Sequence, residues 1–366
     1  MTGRVLRVGI IGTGEVAQTI HLPTLQLMSH KYKVTALCDV SKLSIQHCGV
    51  KFGIPADCWH ENSQDLVNRS DVDLVAILTA DEYHASMAVQ AADAGKHVFI
   101  EKPMTLTNEE ADSIIAARER NNVIIFVGYM RRYAPAFIEA VKMVRNMKKI
   151  DYVRVRDIIG PNSFFIPQAG SYPVLFDDFS ATDNEDRRNR ARAISNTVLG
   201  AQRAQDPRAA STYRFLGSLG SHDLSAMREL IGMPKRCIGA GQNAHGYFIT
   251  ALFEYDGFIT TYETGIDGVG KFDAHLEVHG DRKRIRVDYD TPFGLPIYLT
   301  ILEHDEDGHY QERIVRPTFQ DTYTCEYESL YESIASGAPV KTTPEDAKQD
   351  LVLFKQVIDA LYPPPA

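Results

Sequence analysis

The chain has 366 residues, enough for more than one hydrophobic core. Its 44% hydrophobic and 24% charged content are those of a soluble globular protein, and a formal charge of −9 gives no general attraction for nucleic acid or an anionic membrane. The five cysteines (Cys38, Cys48, Cys58, Cys237, Cys325) form no CxxC pair and have no metal-ligand spacing, so reduced thiols and no metal are expected. The first strand begins too early to leave room for a signal peptide and no apolar run reaches transmembrane length, which makes the cytoplasm the expected location.

Residues 4 to about 128 alternate apolar runs with helical patterns. "VLRVGIIG", "KVTALCD", "VDLVAIL", "KHVFIEK" and "VIIFVGY" read as strands buried on both faces, with amphipathic segments such as "LTNEEADSIIAARERNN" between them. Thr107 or Asn108 caps that segment, and acids fill its first turn. The class expected is α/β, a doubly wound parallel sheet over residues 1–130.

Directly after the first strand, "VGIIGTGEVAQTI" sets Gly12, Gly14 and Ala17 in a G-x-G-x-x-A pattern that opens a helix. Gly12 permits the tight turn, Gly14 lets backbone N–H groups approach a pyrophosphate, and Ala17 allows close helix–strand packing; Glu15 and Val16 belong to the same loop. Asp39 ends the second run, where a carboxylate accepts ribose hydroxyls and repels a 2′-phosphate. No arginine follows it and Lys42 is the one nearby cation, so NAD is expected over NADP. "TADEYHASM" places Thr79, Asp81 and His84 after the third of these runs, with His84 either near the cofactor or capping a helix. "HVFIEKPMTL" ends a strand with Glu101, Lys102 and Pro103; a lysine there can accept a hydroxyl proton if its environment lowers its pKa. In "YMRRYAP", Arg131 and Arg132 point in different directions, so at most one is expected to face a ligand.

After about residue 150 the pattern changes. "DYVRVRDIIG" is a strand, and 160–215 reads as an insertion, aromatic and Pro-rich at first and then charged. It is expected either to form a solvated helix over 185–205 or to act as a lid or subunit contact bringing Tyr172, arginines or aspartates to a substrate. "GSLGSHDLSAMREL" reads as a flexible loop delivering His222 and Asp223 to a helix start. From 234 to 315 strand-like runs form a mostly antiparallel sheet, with hairpin turns at Asp256–Gly257 and Gly280–Asp281. Helices over 320–336 and 343–361 follow, giving a second domain over 131–345 and a C-terminal helix over 346–366.

"GIIGTGEVAQTIHLPTL", "HASMAVQAADAGKHVFIEKPMTLTNEEAD", "VGYMRRYAPAF" and "GSHDL", in this order, resemble the glucose–fructose oxidoreductase / inositol 2-dehydrogenase / MocA family. The resemblance implies a Rossmann domain, then an α/β domain whose open sheet builds a homodimer or homotetramer. The implied activity is NAD-dependent hydride transfer at a hydroxyl-bearing carbon of a sugar, cyclitol or related small molecule. It implies that Lys102 is the catalytic lysine, Glu101 the acid that orients it, and Thr79 and His84 contacts on the nicotinamide side. Arg131 and His222 are the implied substrate contacts, Tyr172 and Ser218 are further candidates from the chain's own pattern, and in some relatives the bond before Pro103 is cis. One feature departs from the family's D-x-x-x-H pattern: Ser218 stands four residues before His222, in the aspartate's place. Asp223 is a poor substitute, because neighbouring helical side chains diverge by about 100°. Three accounts stay open: Lys102 and His222 suffice, the acid comes from elsewhere, or the redox step is lost. The last leaves an NAD-binding regulator as an alternative, and redox-neutral glycoside processing with retained NAD is another.

Overall fold

In the computed structural model, which describes residues 4–290 and 295–363, the N-terminal apolar runs form parallel strands. These are β1 (Leu6–Ile11), β2 (Tyr32–Cys38), β3 (Trp59–His60), β4 (Leu74–Ile77), β5 (His97–Glu101) and β6 (Ile125–Gly128), in the order β3-β2-β1-β4-β5-β6. The order reverses between β1 and β4, and that switch point opens a crevice at the strands' carboxyl ends. All four residues of β4, and Val98, Phe99 and Ile100 of β5, are fully buried, which is why these runs do not alternate with polar residues. The edge strand β3 has two residues, too few to leave a hydrophobic pattern. Helix Asn108–Asn121 starts where its capping signal lies: Thr107 Oγ1 accepts the Glu110 N–H at 3.2 Å.

The second sheet holds β7 (Tyr152–Ile159), β8 (Arg236–Gln242), β9 (Phe248–Glu254), β10 (Ile259–Ile266), β11 (Phe272–Gly280), β12 (Lys283–Tyr289), β13 (Tyr298–His304) and β14 (Tyr310–Val315). Their order is β14-β13-β12-β11-β7-β10-β9-β8, antiparallel except where β7 runs parallel to β10. Alternate residues of β7 are buried, so one face of the strand meets the core. The Asp256–Gly257 turn joins β9 to β10, with Gly257 at φ 88°. The next turn lies one residue later than expected. Gly280 pairs with Lys283, and Asp281 and Arg282 take the positive φ values of 48° and 59°. Gly280 is needed for close approach instead: a Cβ there would fall 2.1 Å from the Lys149 carbonyl oxygen.

The chain divides into two units that interleave in sequence. The first gathers the residues up to Gly128 with 170–200 and 326–351; the second takes 129–169, 201–325 and the residues from Val352. This division replaces the contiguous boundaries expected at 130 and 345. The segment 170–200 therefore belongs to the parallel-sheet unit, and helix Ala181–Arg203 breaks at Gly200, φ 74°. The expected loop at 217–220 is also absent. Pro207–Phe215, a single π turn at Leu216–Gly220 and Ser221–Ile231 follow one another without a gap. The glycines here admit a neighbour, since a Cβ on Gly220 would meet the Tyr262 hydroxyl at 2.7 Å. Among the described residues, no helix is long and apolar enough to cross a membrane.

Candidate active site

At the switch point, Gly12 sits at φ 99° with its α-carbon against β4; a Cβ would lie 2.6 Å from the Leu78 carbonyl. Only glycine makes that turn. Gly14 is the opposite case, because a Cβ there meets nothing within 4 Å. Its face opens into a cavity of about 560 Å³ whose lining includes Gly12, Gly14, Asp39, Thr79 and Tyr83. Ala17 is fully buried where the following helix packs on the sheet, while Glu15 is half-buried and Val16 is exposed. Asp39 braces the loop: one carboxylate oxygen accepts the Thr13 N–H at 2.6 Å and the other the Ser41 N–H at 3.0 Å.

Lys102 follows the last residue of β5 and is half-buried, and its bond to Pro103 is cis. Glu101 reaches back under it. One Glu101 oxygen accepts the Lys102 backbone N–H at 3.0 Å, and the other lies 3.0 Å from His21 Nε2. With Nε2 donating to the carboxylate, His21 Nδ1 accepts the Tyr327 hydroxyl at 2.8 Å. Phe99 stacks on Tyr327 at 5.3 Å and closes this cluster from below. Burial pushes the Glu101 carboxyl up, but the His21 hydrogen bond and the neighbouring Lys102 charge outweigh it, leaving its pKa below the usual value. The acid beside Lys102 is thus a fixed carboxylate. His21 lies in the run "GIIGTGEVAQTIHLPTL" without a role read for it, and Tyr327 lies in no motif noted in the sequence.

His84 is buried at the head of helix His84–Asp93 and does not line the cavity. Its ring nitrogens lie 2.8 Å from the Pro103 carbonyl and 3.1 Å from that of Thr79. It ties the loop that carries Thr79, a cavity residue, to the loop that carries Lys102.

Segment 170–200 borders the same cavity within the first unit. Gln18 Nε2 donates to the Val174 carbonyl and its Oε1 accepts the Val174 N–H, both at 2.9 Å. Tyr83 donates to Asp186 at 2.9 Å, and Arg190 lies 4.8 Å over the Tyr83 ring. Burial and the Asp186 bond push the Tyr83 phenol up to about 12, which keeps it a donor. Phe179, Asp183, Asn184, Asp186 and Arg187 join the cavity lining, whereas Tyr172 is 70% exposed. The helix expected over 185–205 is present within Ala181–Arg203, and Asp183, Asp186 and Arg187 of it line the cavity beside the glycine loop.

The second unit holds His222, half-buried in the first turn of helix Ser221–Ile231. Ser218 is exposed on the preceding π turn, its hydroxyl 3.4 Å from the Phe215 carbonyl. Asp223 turns inward, as the divergence of helical neighbours requires. Arg131 meets it there, donating to Asp223 at 2.6 Å and to Asp157 of β7 at 3.1 Å, with Tyr289's ring 4.5 Å below. Arg132 donates to Glu229 at 2.6 Å. Arg131 and Arg132 are 5% and 2% exposed, so neither faces a ligand as expected. Both belong to the short helix Met130–Tyr133, which is wholly buried, and each anchors one end of the helix that carries His222.

Residues 6–129 match a family model described as "Oxidoreductase family, NAD-binding Rossmann fold". The inositol 2-dehydrogenase of Salmonella typhimurium is 32% identical over 140 residues, which are 38% of this chain; the match spans only 41% of that protein's length. The myo-inositol 2-dehydrogenase of Thermotoga maritima is 23% identical over 357 residues, covering 95% of this chain and 94% of that one. The aldose-aldose oxidoreductase of Caulobacter crescentus, solved with glycerol, superposes with a TM-score of 0.72 at 21% identity, covering 98% of this chain and 97% of its own; this likeness is one of fold. Residues 6–129 are thus similar to the NAD-binding Rossmann domain of the glucose–fructose oxidoreductase / inositol 2-dehydrogenase / MocA oxidoreductases.

Proposed function

We propose that the chain is an NAD-dependent dehydrogenase acting at a hydroxyl-bearing carbon of a cyclitol, a sugar or a related small polyol. One observation carries this reading most directly: the open groove over Gly14 and the Lys102–Glu101 pair both lie at the carboxyl edge of one parallel sheet. The groove fits a dinucleotide, since the one glycine is crowded where the turn must be tight and the other is bare where a pyrophosphate must approach. When bound, the nicotinamide supplies the hydride acceptor.

The chain's own residues do the rest. Gly12, Gly14 and the helix start behind them receive the pyrophosphate, Asp39 the ribose hydroxyls, and Thr79 the nicotinamide side. Lys102 Nζ takes the proton of the substrate hydroxyl as its carbon loses hydride, and Glu101 holds the lysine's backbone in place. His222, on a helix fixed by Arg131 and Arg132, is the residue this reading assigns to orienting the substrate. The names of the relatives, two inositol dehydrogenases and an aldose oxidoreductase, support the substrate class. The same reading puts the protein in the cytoplasm as a homodimer or homotetramer built on the second sheet.

The experiment is a panel of inositols, aldoses and polyols, each incubated with purified protein and NAD and followed by NADH absorbance. Reduction of NAD by at least one cyclitol or sugar is expected. Bound NAD with silence across the whole panel would overturn the reading in favour of a regulatory role.

A further inference from the structure

Asp178 lies on the exposed part of the segment that borders the cavity, yet both of its oxygens are engaged. One accepts the Ser41 hydroxyl and the other the Leu43 backbone N–H at 3.1 Å. These two groups open helix Lys42–Phe52, directly after Asp39 at the end of β2. In a dinucleotide fold the adenosine ribose lies there, and a phosphate on its 2′-oxygen would need donors from the residues just past the acid. Three such donors are the Ser41 hydroxyl, the Leu43 amide and the Lys42 ammonium. Each already serves a carboxylate: Asp178 takes the first two, and Lys42 Nζ pairs with Glu61 at 3.0 Å. Asp39 and Glu61 both line the cavity, so a 2′-phosphate would meet negative charge and no unengaged member of this trio.

We propose that Asp178, 137 residues downstream of Ser41, is a specificity determinant that excludes a 2′-phosphate and makes the chain select NAD over NADP. Glu61 assists by holding Lys42. The proposal rests on the reading that this cavity holds a nicotinamide dinucleotide. It adds to the role of Asp39, which acts on the ribose hydroxyls themselves. A purely structural part for Asp178, fastening segment 170–200, would weaken both cofactors alike. A specificity role moves their ratio.

The test is titration of full-length protein with NAD and with NADP, measuring Kd for the wild type, Asp178→Asn, Glu61→Gln and the double variant, with thermal unfolding as the check on folding. NAD affinity should hold within about three-fold, the scale of one exposed contact. NADP affinity should rise on the order of ten-fold for Asp178→Asn as one nearby negative charge is removed. It should rise further in the double variant, where Lys42 is released, and the gain should shrink at high salt. An NADP-to-NAD ratio that stays put in the double variant, or a parallel weakening of both cofactors, would overturn the proposal alone. A wild type that binds neither dinucleotide would overturn the cofactor reading and this inference with it.

Discussion

A buried guanidinium facing two carboxyl groups reaches neutrality only if one of the carboxyls keeps its proton. In the Arg131–Asp157–Asp223 cluster that carboxyl is Asp223: burial pushes it well above the usual aspartate range, and Arg131 lowers it less than burial and Asp157 raise it. The folded chain therefore holds a proton that the unfolded chain releases. This contribution to stability is complete below about pH 4, the ordinary aspartate range, and is lost as pH rises toward the raised value. Asp223→Asn keeps the shape without the ionisable group. It should cost no more than about 1 kcal/mol and should flatten the fall in stability above that range in denaturant titrations at several pH values. Arg131→Ala leaves the acids without their cation and should cost about 3–5 kcal/mol at neutral pH. A stable Arg131→Ala protein would show that the cluster does not hold the His222 helix. The sequence suggested instead that Arg131 faces a ligand. Its partners lie 26 and 92 residues away, and no periodicity announces that they converge.

Whether an element was legible depended on what held it. Strands buried on both faces and a capped amphipathic helix follow from local pattern, and β1, β2, β4, β5, β6 and Asn108–Asn121 lie where their residues predict. Small residues were less readable. Gly217 and Gly220 look like breakers, yet the chain there stays helical, and Gly220 is small because the Tyr262 hydroxyl packs against it. Gly280 likewise looks like a turn glycine but serves the close approach of Lys149, which pushes the left-handed conformation onto Asp281 and Arg282. Asp281 repays this by accepting the Lys149 N–H at 3.1 Å, whereas a β-carbon on Arg282 gains nothing from φ 59°. Arg282→Gly should therefore stabilise the protein by about 1 kcal/mol, the cost of one non-glycine residue in that region. Urea unfolding checks it, and a destabilised variant would mean that the turn conformation carries no strain.

At the scale of the whole molecule, the parallel sheet, the glycine loop and Lys102 were readable because each motif sits at a fixed place in a repeating strand–helix pattern. The interleaving of the units was not. Segment 170–200 joins the first unit through scattered polar contacts, Gln18 with Val174, Ser41 with Asp178 and Tyr83 with Asp186, whose members lie far apart in the chain. Such contacts leave no trace in composition or period, so the segment's place beside the cavity emerges only from the fold. The same holds for the His21–Tyr327 support beneath Glu101, which draws on residues from opposite ends of the sequence. The central claim is that Lys102 Nζ takes the substrate's proton at a site built around bound NAD. Its most direct test compares Lys102→Ala with the wild type in the same preparation, measuring NAD affinity by titration and NADH formation with the best substrate of the panel. The account predicts NAD binding within a few-fold of wild type and kcat lower by about 10²–10⁴, the usual contribution of a positioned proton acceptor. Turnover at the wild-type rate in Lys102→Ala would contradict it.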